Sequence, residues 1–428
     1  MEKRKIMISL VILALVHLLL LGNAANAKSE ATETSSEVDR KLQLLNKPAV
    51  KSIQSEDGDI IDCVDIYKQP AFDHPALRNH TIQMRPSFTI KDKTNSSTKN
   101  QSSSPVPISQ TWQKSGSCPD GTIPIRRTRK EDLLRAASLE HFGRDGPRNS
   151  TAGNETDGRS SQFVYHNGTK YAIYPIQDHS TAFLVTTGYN FIGARGEINI
   201  WSPKVESPGE YTTGQIWLKN GPGDSFESVE AGWMVNPTLF GDGEPRLFGR
   251  WTLDAYGKTG CINLLCPGFV QTSKKVALGA ILRPTSQEWG TQYQIDLQID
   301  KDPTGNWWVH FANDEVVGYY PAAILNYLQH SAILVEWGGE VYSKKLRKNN
   351  PHTATAMGSG EFAYPNWGTS AYINRIRIID YSLQLKYPDW VYSFSEEPDC
   401  YSANNYQKNL ATEPTFFFGG PGRNRYCP

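Results

Sequence analysis

No sign of charge predominates in this 428-residue chain, where 44 Lys and Arg balance 44 Asp and Glu. Nucleic-acid binding and adhesion to acidic membrane surfaces both need a concentrated positive field, so neither kind of partner is expected. Beyond residue 27 no apolar run is long enough to span a bilayer. The familiar catalytic signatures are missing too: there is no G-x-S-x-G elbow, no H-E-x-x-H, no phosphate loop and no G-x-G-x-x-G between a strand and a helix. No motif asks for a cofactor or a metal.

What is present begins with an export signal. Lys3, Arg4 and Lys5 precede an apolar run from Ile6 to Leu21, and Ala25-Asn26-Ala27 closes it as a cleavage site does. Removal leaves 401 residues (428 minus 27), enough for two folding units and expected to be secreted or to reside in a wall or vacuolar lumen. Six cysteines in an exported chain read as disulfides, and proximity favours Cys63 with Cys118, Cys261 with Cys266, and Cys400 with Cys427. The Cys261–Cys266 spacing is too wide for a redox C-x-x-C, no His stands beside it for zinc, and no thiol is left over as a nucleophile. N-glycosylation acceptors occur at Asn79, Asn95, Asn100, Asn149, Asn154 and Asn167, whereas Pro237 disqualifies Asn236. All six precede residue 170, so the first part of the chain is expected to be open and loop-rich.

Residues 28–59 and Thr94 to Ser104 are polar and read as flexible connections. Thr128-Arg-Lys-Glu131 has capping-box spacing, and Leu133, Leu134, Ala137 and Leu139 follow as an apolar stripe, which predicts a short helix over 129–140. His141 to Gln162, rich in Gly, Asn, Asp and Ser, reads as an exposed linker. The expected division is therefore a signal at 1–27, a smaller, mixed, loop-rich domain with linker at 28–162, and a main domain at 163–428. From Phe163 onward the pattern alternates with period two, as in Gly196 to Trp201, Gln215 to Leu218, Ser228 to Val235, Gln292 to Ile299 and Tyr372 to Ile379. Asp302-Pro-Thr-Gly305 joins two such runs as a hairpin does, and Pro321 to Gln329 is the one helical stretch. Many short strands with polar alternate positions predict an all-β, antiparallel β-sandwich. Ten of the 11 Trp lie after residue 163, so the aromatic core or cleft is expected there. Residues 28–165 hold 20 basic and 18 acidic groups against 21 and 25 in 166–428, a difference that allows mutual attraction.

With the usual nucleophiles gone, misplaced carboxylates remain. In Phe226 to Val235, Val229, Ala231, Trp233 and Val235 face one way; Glu230 faces the other, between Ser228 and Gly232, whose small size leaves a concavity. Glu340 follows Ile333-Leu-Val-Glu-Trp-Gly-Gly339, and Glu336 is its rival on the same face. Either glutamate fits an ordinary solvent-facing carboxylate as well as a site. Gln215 shares a face with Tyr211, Thr213 and Trp217, where an amide suits a developing oxyanion and a plain sheet surface is the equal alternative. Trp217, Trp233, Tyr319 and Tyr320 are candidate walls for a substrate ring, although aromatic residues in a sandwich more often belong to its core.

Longer stretches add a resemblance. Gln69-Pro-Ala-Phe-Asp-His-Pro75 and Cys118 to Arg127, then Gln215-Ile-Trp217, Glu230-Ala-Gly-Trp233, Arg246-Leu-Phe248, Thr259-Gly-Cys261, Asn263 to Phe269 and Trp337-Gly-Gly-Glu340, occur in the order of one family. The chain resembles the neprosin family of plant secreted glutamic endopeptidases over nearly everything after the signal. The resemblance implies an antiparallel sandwich preceded by an activation propeptide, catalysis by Glu230 and Glu340, and substrates cut after proline; Glu336 has no such role in it. Physically, hydrolysis without a covalent intermediate needs one group to take a proton from water and another to give one. Two close carboxyls titrate as a coupled pair in which one keeps its proton, which predicts an acid optimum; Glu230 is assigned as base. The propeptide is expected to inhibit in cis, with Pro107, Pro119 or Pro124 in the pocket as an uncleaved mimic and acid loosening its hold. Two alternatives stand beside this reading: a carbohydrate-binding or glycoside-hydrolysing sandwich, since paired carboxylates near tryptophans also suit sugars, and an inactive binding member of the same family.

Overall fold

A computed structural model of the chain describes residues 36–88, 90, 108–136, 138–144, 175–312, 315–347, 351–364 and 367–428, with the backbone alone of 162–166 and 169–173. The export signal, the Thr94 to Ser104 tract, Pro107 and the acceptors Asn95, Asn100, Asn149, Asn154 and Asn167 lie outside these residues. Asn79 lies within them and is exposed, as an acceptor must be.

The organising element is the 21-residue strand His179–Asn199. Its first half runs antiparallel to Ala332–Tyr342 and Tyr392–Ser395, and its second half to Gln294–Lys301 and Ala371–Asp380. One curled sheet therefore folds over into two layers. The first layer continues from Ala332–Tyr342 through Tyr211–Asn220, Glu227–Val235 and Arg246–Thr252 to Cys261–Ile262. The second continues from Gln294–Lys301 through Trp307–Phe311 and Glu315–Tyr320 to Val270–Gln271, and on its other side Ala371–Asp380 carries Thr415–Gly419. The antiparallel sandwich is thus present, and Asp302 to Gly305 is the turn between Gln294–Lys301 and Trp307–Phe311. The stretch from Pro321 to Gln329 makes two short 3-10 turns, Ala322–Ile324 and Tyr327–Gln329.

Inner faces meet through aromatic residues. Trp337 donates its indole N–H to Arg195 O at 3.0 Å, and the Tyr320 hydroxyl donates to Glu230 O at 2.8 Å. Trp217, Trp233, Trp307, Trp308 and Trp337 are all buried. At about 25 cal/mol per Å2 over roughly 200 Å2 each, every one contributes at most about 5 kcal/mol of burial. Gly339 is required where the layers touch, because a Cβ there would lie 2.8 Å from the Phe418 ring.

All three disulfides join the cysteines that proximity favoured, Cys63–Cys118, Cys261–Cys266 and Cys400–Cys427. Among the described residues no helix is long and apolar enough to cross a membrane.

The N-terminal part departs from expectation in its order. Residues 36–45 are helical and Ala49–Gln54 pairs with Ile60–Asp65, although 28–59 reads as a flexible connection. Val38, Leu42 and Leu45, spaced four and three apart, form one stripe that packs on the first layer and outweighs the polar composition. The helix near 130 is only Lys130–Arg135, and its start is closed by Asp132 accepting from Arg129 N at 3.0 Å, not by Glu131. Asp132 is drawn there by Arg126 and Arg135, and beyond Arg135 the chain turns extended at Ala136. Residues 141–144 are not an exposed linker: Phe142 is buried, and Gly143 O accepts from Ile262 N at 2.8 Å. The hairpin of Gln162–His166 with Thr169–Ile173 pairs only with itself, and the large sheet starts at His179.

Candidate active site

Cross-strand register decides which side chains share a face. Glu340 stands opposite Thr213 and Thr181, Glu336 opposite Trp217, Trp217 opposite Glu230, and Glu230 opposite Arg250. Glu230, Glu340, Glu336, Gln215, Trp217 and Arg250 therefore project from one face of the first layer, the face turned away from the second. Glu340 lies within its strand, two positions from the strand end, and Gly338 lets its neighbours close up: a Cβ on Gly338 would sit 2.1 Å from Ala182 O.

The solvent-facing alternative fails for both glutamates, since Glu230 is 0% exposed and Glu340 1%. Burial of two carboxylates needs compensation, and Arg250 supplies it. Its Nε donates to Glu230 Oε2 at 2.8 Å and its Nη2 to Glu340 Oε1 at 3.1 Å, so one guanidinium bridges the pair. Glu230 also accepts from Ser228 Oγ at 2.5 Å, from Gln215 Nε2 at 2.7 Å and from the Tyr256 hydroxyl. Glu340 accepts from the Tyr211 hydroxyl at 3.0 Å, and His179 Nδ1 lies 3.4 Å from it. The His179 ring stacks on Tyr256 at 5.9 Å, which ties the two halves of the cluster together.

These charges act on one another. Burial works against the Glu340 carboxylate, yet Arg250 and His179 outweigh it and hold the group well below the usual carboxylate range. Burial likewise opposes the Arg250 charge, and Glu230 and Glu340 overcome it. Burial pushes the Tyr256 hydroxyl up, so it stays a donor. The two carboxylates do not meet as bare neighbours, because the Arg250 cation stands between them. Glu336 is occupied otherwise, by Lys219 Nζ at 2.5 Å, and burial pushes its carboxyl up.

The candidate residues divide accordingly. Gln215 and Trp217 are brought to the glutamates, and Gln215 Oε1 and Thr213 Oγ1 are buried there without hydrogen-bond partners among the described residues. Trp233 is not: at an odd spacing from Glu230 it points into the core, where it donates to Asn199 O at 2.9 Å. Tyr320 reaches Glu230 from behind, through its backbone carbonyl. Tyr319 faces the outside of the second layer, with its hydroxyl 2.7 Å from His80 Nε2. Nor does Gly232 leave a concavity, because the neighbouring strand fills the space and a Cβ there would lie 2.2 Å from Gly214 O. Gly232→Ala should therefore cost about 1–3 kcal/mol or more, read as a lower thermal midpoint, while an unchanged midpoint would refute the close approach. Arg250, Tyr256 and His179 were missed. Arg250 had a signal, as an arginine in phase with Phe248 inside the apolar run Arg246–Thr252; Tyr256 and His179 had none.

The N-terminal part covers this face. Val38, Leu133 and Phe142 pack with Tyr211, Met234 and Phe248, all of which share the face of the glutamates. Neither Pro119 nor Pro124 stands beside the glutamates as a substrate mimic would: Pro119 is exposed, and Pro124 lies in a small sheet with its carbonyl accepting from Gln271 Nε2 at 3.2 Å. The described residues contain one His/Cys group compact enough for a metal, His352 with Cys400 and Cys427, and both its sulfurs are in a disulfide.

The two-layer antiparallel sandwich thus holds a pair of buried glutamates under a folded N-terminal segment. Residues 208–421 match the Neprosin family, and residues 52–175 match the Neprosin activation peptide; the chain belongs to the Neprosin family. Among solved structures it is similar to scytalido-glutamic peptidase with a transition state analog inhibitor, at 10% identity and a TM-score of 0.32, over 56% of this chain and 98% of that one. It is also similar to SCP-B, a member of the Eqolisin family of peptidases in complex with the tripeptide Ala-Ile-His, at 9% identity and a TM-score of 0.30, over 57% of this chain and 98% of that one. Likeness this slight fixes no detail of the site.

Proposed function

We propose that the chain is the precursor of a secreted glutamic endopeptidase that cleaves after proline, with Glu230 and Glu340 as its water-activating pair and residues 28–162 as a removable inhibitor. The observation that carries this reading is the single guanidinium of Arg250 on both buried carboxylates, beneath the N-terminal segment. Residues 163–428 form the peptidase domain in this reading, with the hairpin of Gln162–His166 and Thr169–Ile173 at the junction.

In hydrolysis, Glu230 takes a proton from water as the water oxygen bonds to the scissile carbonyl carbon. The oxyanion that forms is offset by donors on the same face, with the Arg250 guanidinium and the Gln215 amide the nearest. The proton then passes to the leaving nitrogen as the C–N bond breaks, and Glu340 completes the exchange. Trp217, beside Glu230 on that face, is the ring against which a proline can lie. In the precursor Arg250 and His179 keep Glu340 charged, so Glu340 lacks the proton an acid role needs. Latency then has two sources, the cover and the charge state.

Acid release is part of the reading as the family resemblance implies it, and the Asp59 anchor, raised by burial but held below its ordinary value by Arg246 and Arg126, opposes it in mild acid. Purified precursor is expected to shed its N-terminal segment when moved from neutral pH to about pH 4–5. Intact-mass spectrometry before and after acidification reads the cleavage position and, on added peptides, the residue preceding each cut. A precursor that stays whole and inactive in acid refutes acid activation, and cuts without proline preference refute the specificity alone.

A further inference from the structure

The opposite face of the sandwich carries an aromatic surface that this chemistry does not use. Tyr372 and Phe417 are paired across neighbouring strands. Their neighbour Phe418 points inward against Gly339, so Tyr372 and Phe417 look outward, away from the glutamates. On them stands Trp367, with its ring 4.4 Å from Tyr372 and 5.6 Å from Phe417. A second loop brings Trp289 beside it: Trp289 N donates to Gly368 O at 2.8 Å, and its ring edge lies over Gly368, where a Cβ would be 3.7 Å away. Trp289 is nevertheless 71% exposed, Tyr364 65% and Trp367 50%.

Two adjacent tryptophans held outward gain the fold little burial, and such a pair marks a binding surface. The backbone points the same way. Trp289 has φ 53°, a left-handed conformation that a bulky residue adopts only where its surroundings impose it. The ligand class follows from ring chemistry and charge. Flat indoles edged by polar groups match the C–H faces of pyranose rings, whose hydroxyls stay solvated. Neither 284–293 nor 359–369 contains a Lys or Arg, and the exposed acids at their edges are Glu288 and Glu361. Arg375, further along the strand, is engaged by Glu197 at 3.2 Å. An anionic polysaccharide would meet only like charge there.

We infer that Trp289 and Trp367 form a stacking platform for a neutral glycan chain, which tethers the protein to polysaccharide independently of peptide hydrolysis. The test uses the full-length precursor on insoluble cellulose, with hydroxyethylcellulose in native gels as the soluble neutral probe and polygalacturonate as the anionic one. Wild-type protein should be retained by both neutral glycans, and W289A/W367A should lose about tenfold in retention while still unfolding in one cooperative transition, its midpoint lowered only by the lost Trp367 packing. W289F/W367F, which keeps a ring at each place, should restore most of it. No retention of the wild type on either neutral glycan overturns the proposal. So does equal retention of the alanine variant, or binding confined to polygalacturonate. Peptide turnover by the activated alanine variant should equal wild type, so a failed peptidase reading and a failed platform are told apart.

Discussion

Glu340→Gln and Glu230→Gln should each abolish hydrolysis of a proline-containing peptide, with turnover reduced by about 10³–10⁴ or to the limit of detection. Glutamine keeps the shape and one acceptor oxygen, removes the charge and the basic site, and puts an NH2 group where the second oxygen accepted, so a variant that stays folded reports chemistry. The fold should survive, because the two carboxylates share one guanidinium. With Glu340 neutral, Arg250 still has Glu230 at 2.8 Å and the Tyr211 hydroxyl at 3.0 Å. A cluster of two anions and one cation becomes one of each, and no buried charge is stranded. Glu336→Gln is the contrasting variant. It removes the carboxylate partner of half-buried Lys219, 2.5 Å away, and should lower the thermal midpoint while leaving turnover within about tenfold. If Glu336→Gln silenced the enzyme and Glu340→Gln did not, the pair would be wrongly chosen. Cleavage of a polysaccharide by wild type, with none of peptide, would instead favour a glycoside-hydrolysing sandwich.

Much of this arrangement is written in local pattern. Period two in Glu227–Val235 separates Glu230 from Trp233, and the structure keeps that separation. The same parity already argues against Trp233 as a wall of the site, because alternate positions cannot serve one cleft. Burial was not legible. A carboxylate that alternates with apolar residues looks solvent-facing until a second element covers it, and here the cover comes from residues more than 80 positions away, such as Val38 and Phe142. Arg250 was hidden for a related reason. Its meaning lies in reaching across two strands to Glu340, ninety positions along the chain, and no spacing rule encodes such a contact. The helix over 36–45 was obscured by composition, since its three apolar positions matter only against the surface they meet. The disulfides were legible because their partners are near in sequence.

Asp59→Asn should loosen the cover at every pH, and it follows from the ion network beneath it. Asp59 Oδ1 accepts from Arg126 Nε at 2.9 Å and Oδ2 from Arg246 Nη1 at 2.5 Å, with Arg129 at 3.6 Å. Arg246 belongs to the strand beside Glu230 and is also held by Asp242, while Arg126 is also held by Asp132. Both guanidiniums lie over Phe240, at 5.0 and 5.4 Å. Burial raises the Asp59 carboxyl, but Arg246 and Arg126 outweigh it and hold it below its ordinary value. The sign follows from that depression: the anchor is fully present above the ordinary value and is lost as pH falls through the lower value of the docked state. In the wild type Asp59 therefore protonates late and resists release in mild acid. Asparagine is neutral at all pH and leaves Arg246 and Arg126 with one carboxylate partner each, at a cost of about 3 kcal/mol, the lower end for a broken buried pair. Docking should weaken about a hundredfold, and the variant precursor should shed its N-terminal segment at a higher pH than wild type and leak peptidase activity near neutrality. The check is a pH series of intact-mass and peptide-cleavage measurements on both precursors. Identical midpoints would mean that Asp59 serves the folding of the segment and not its hold on the peptidase face.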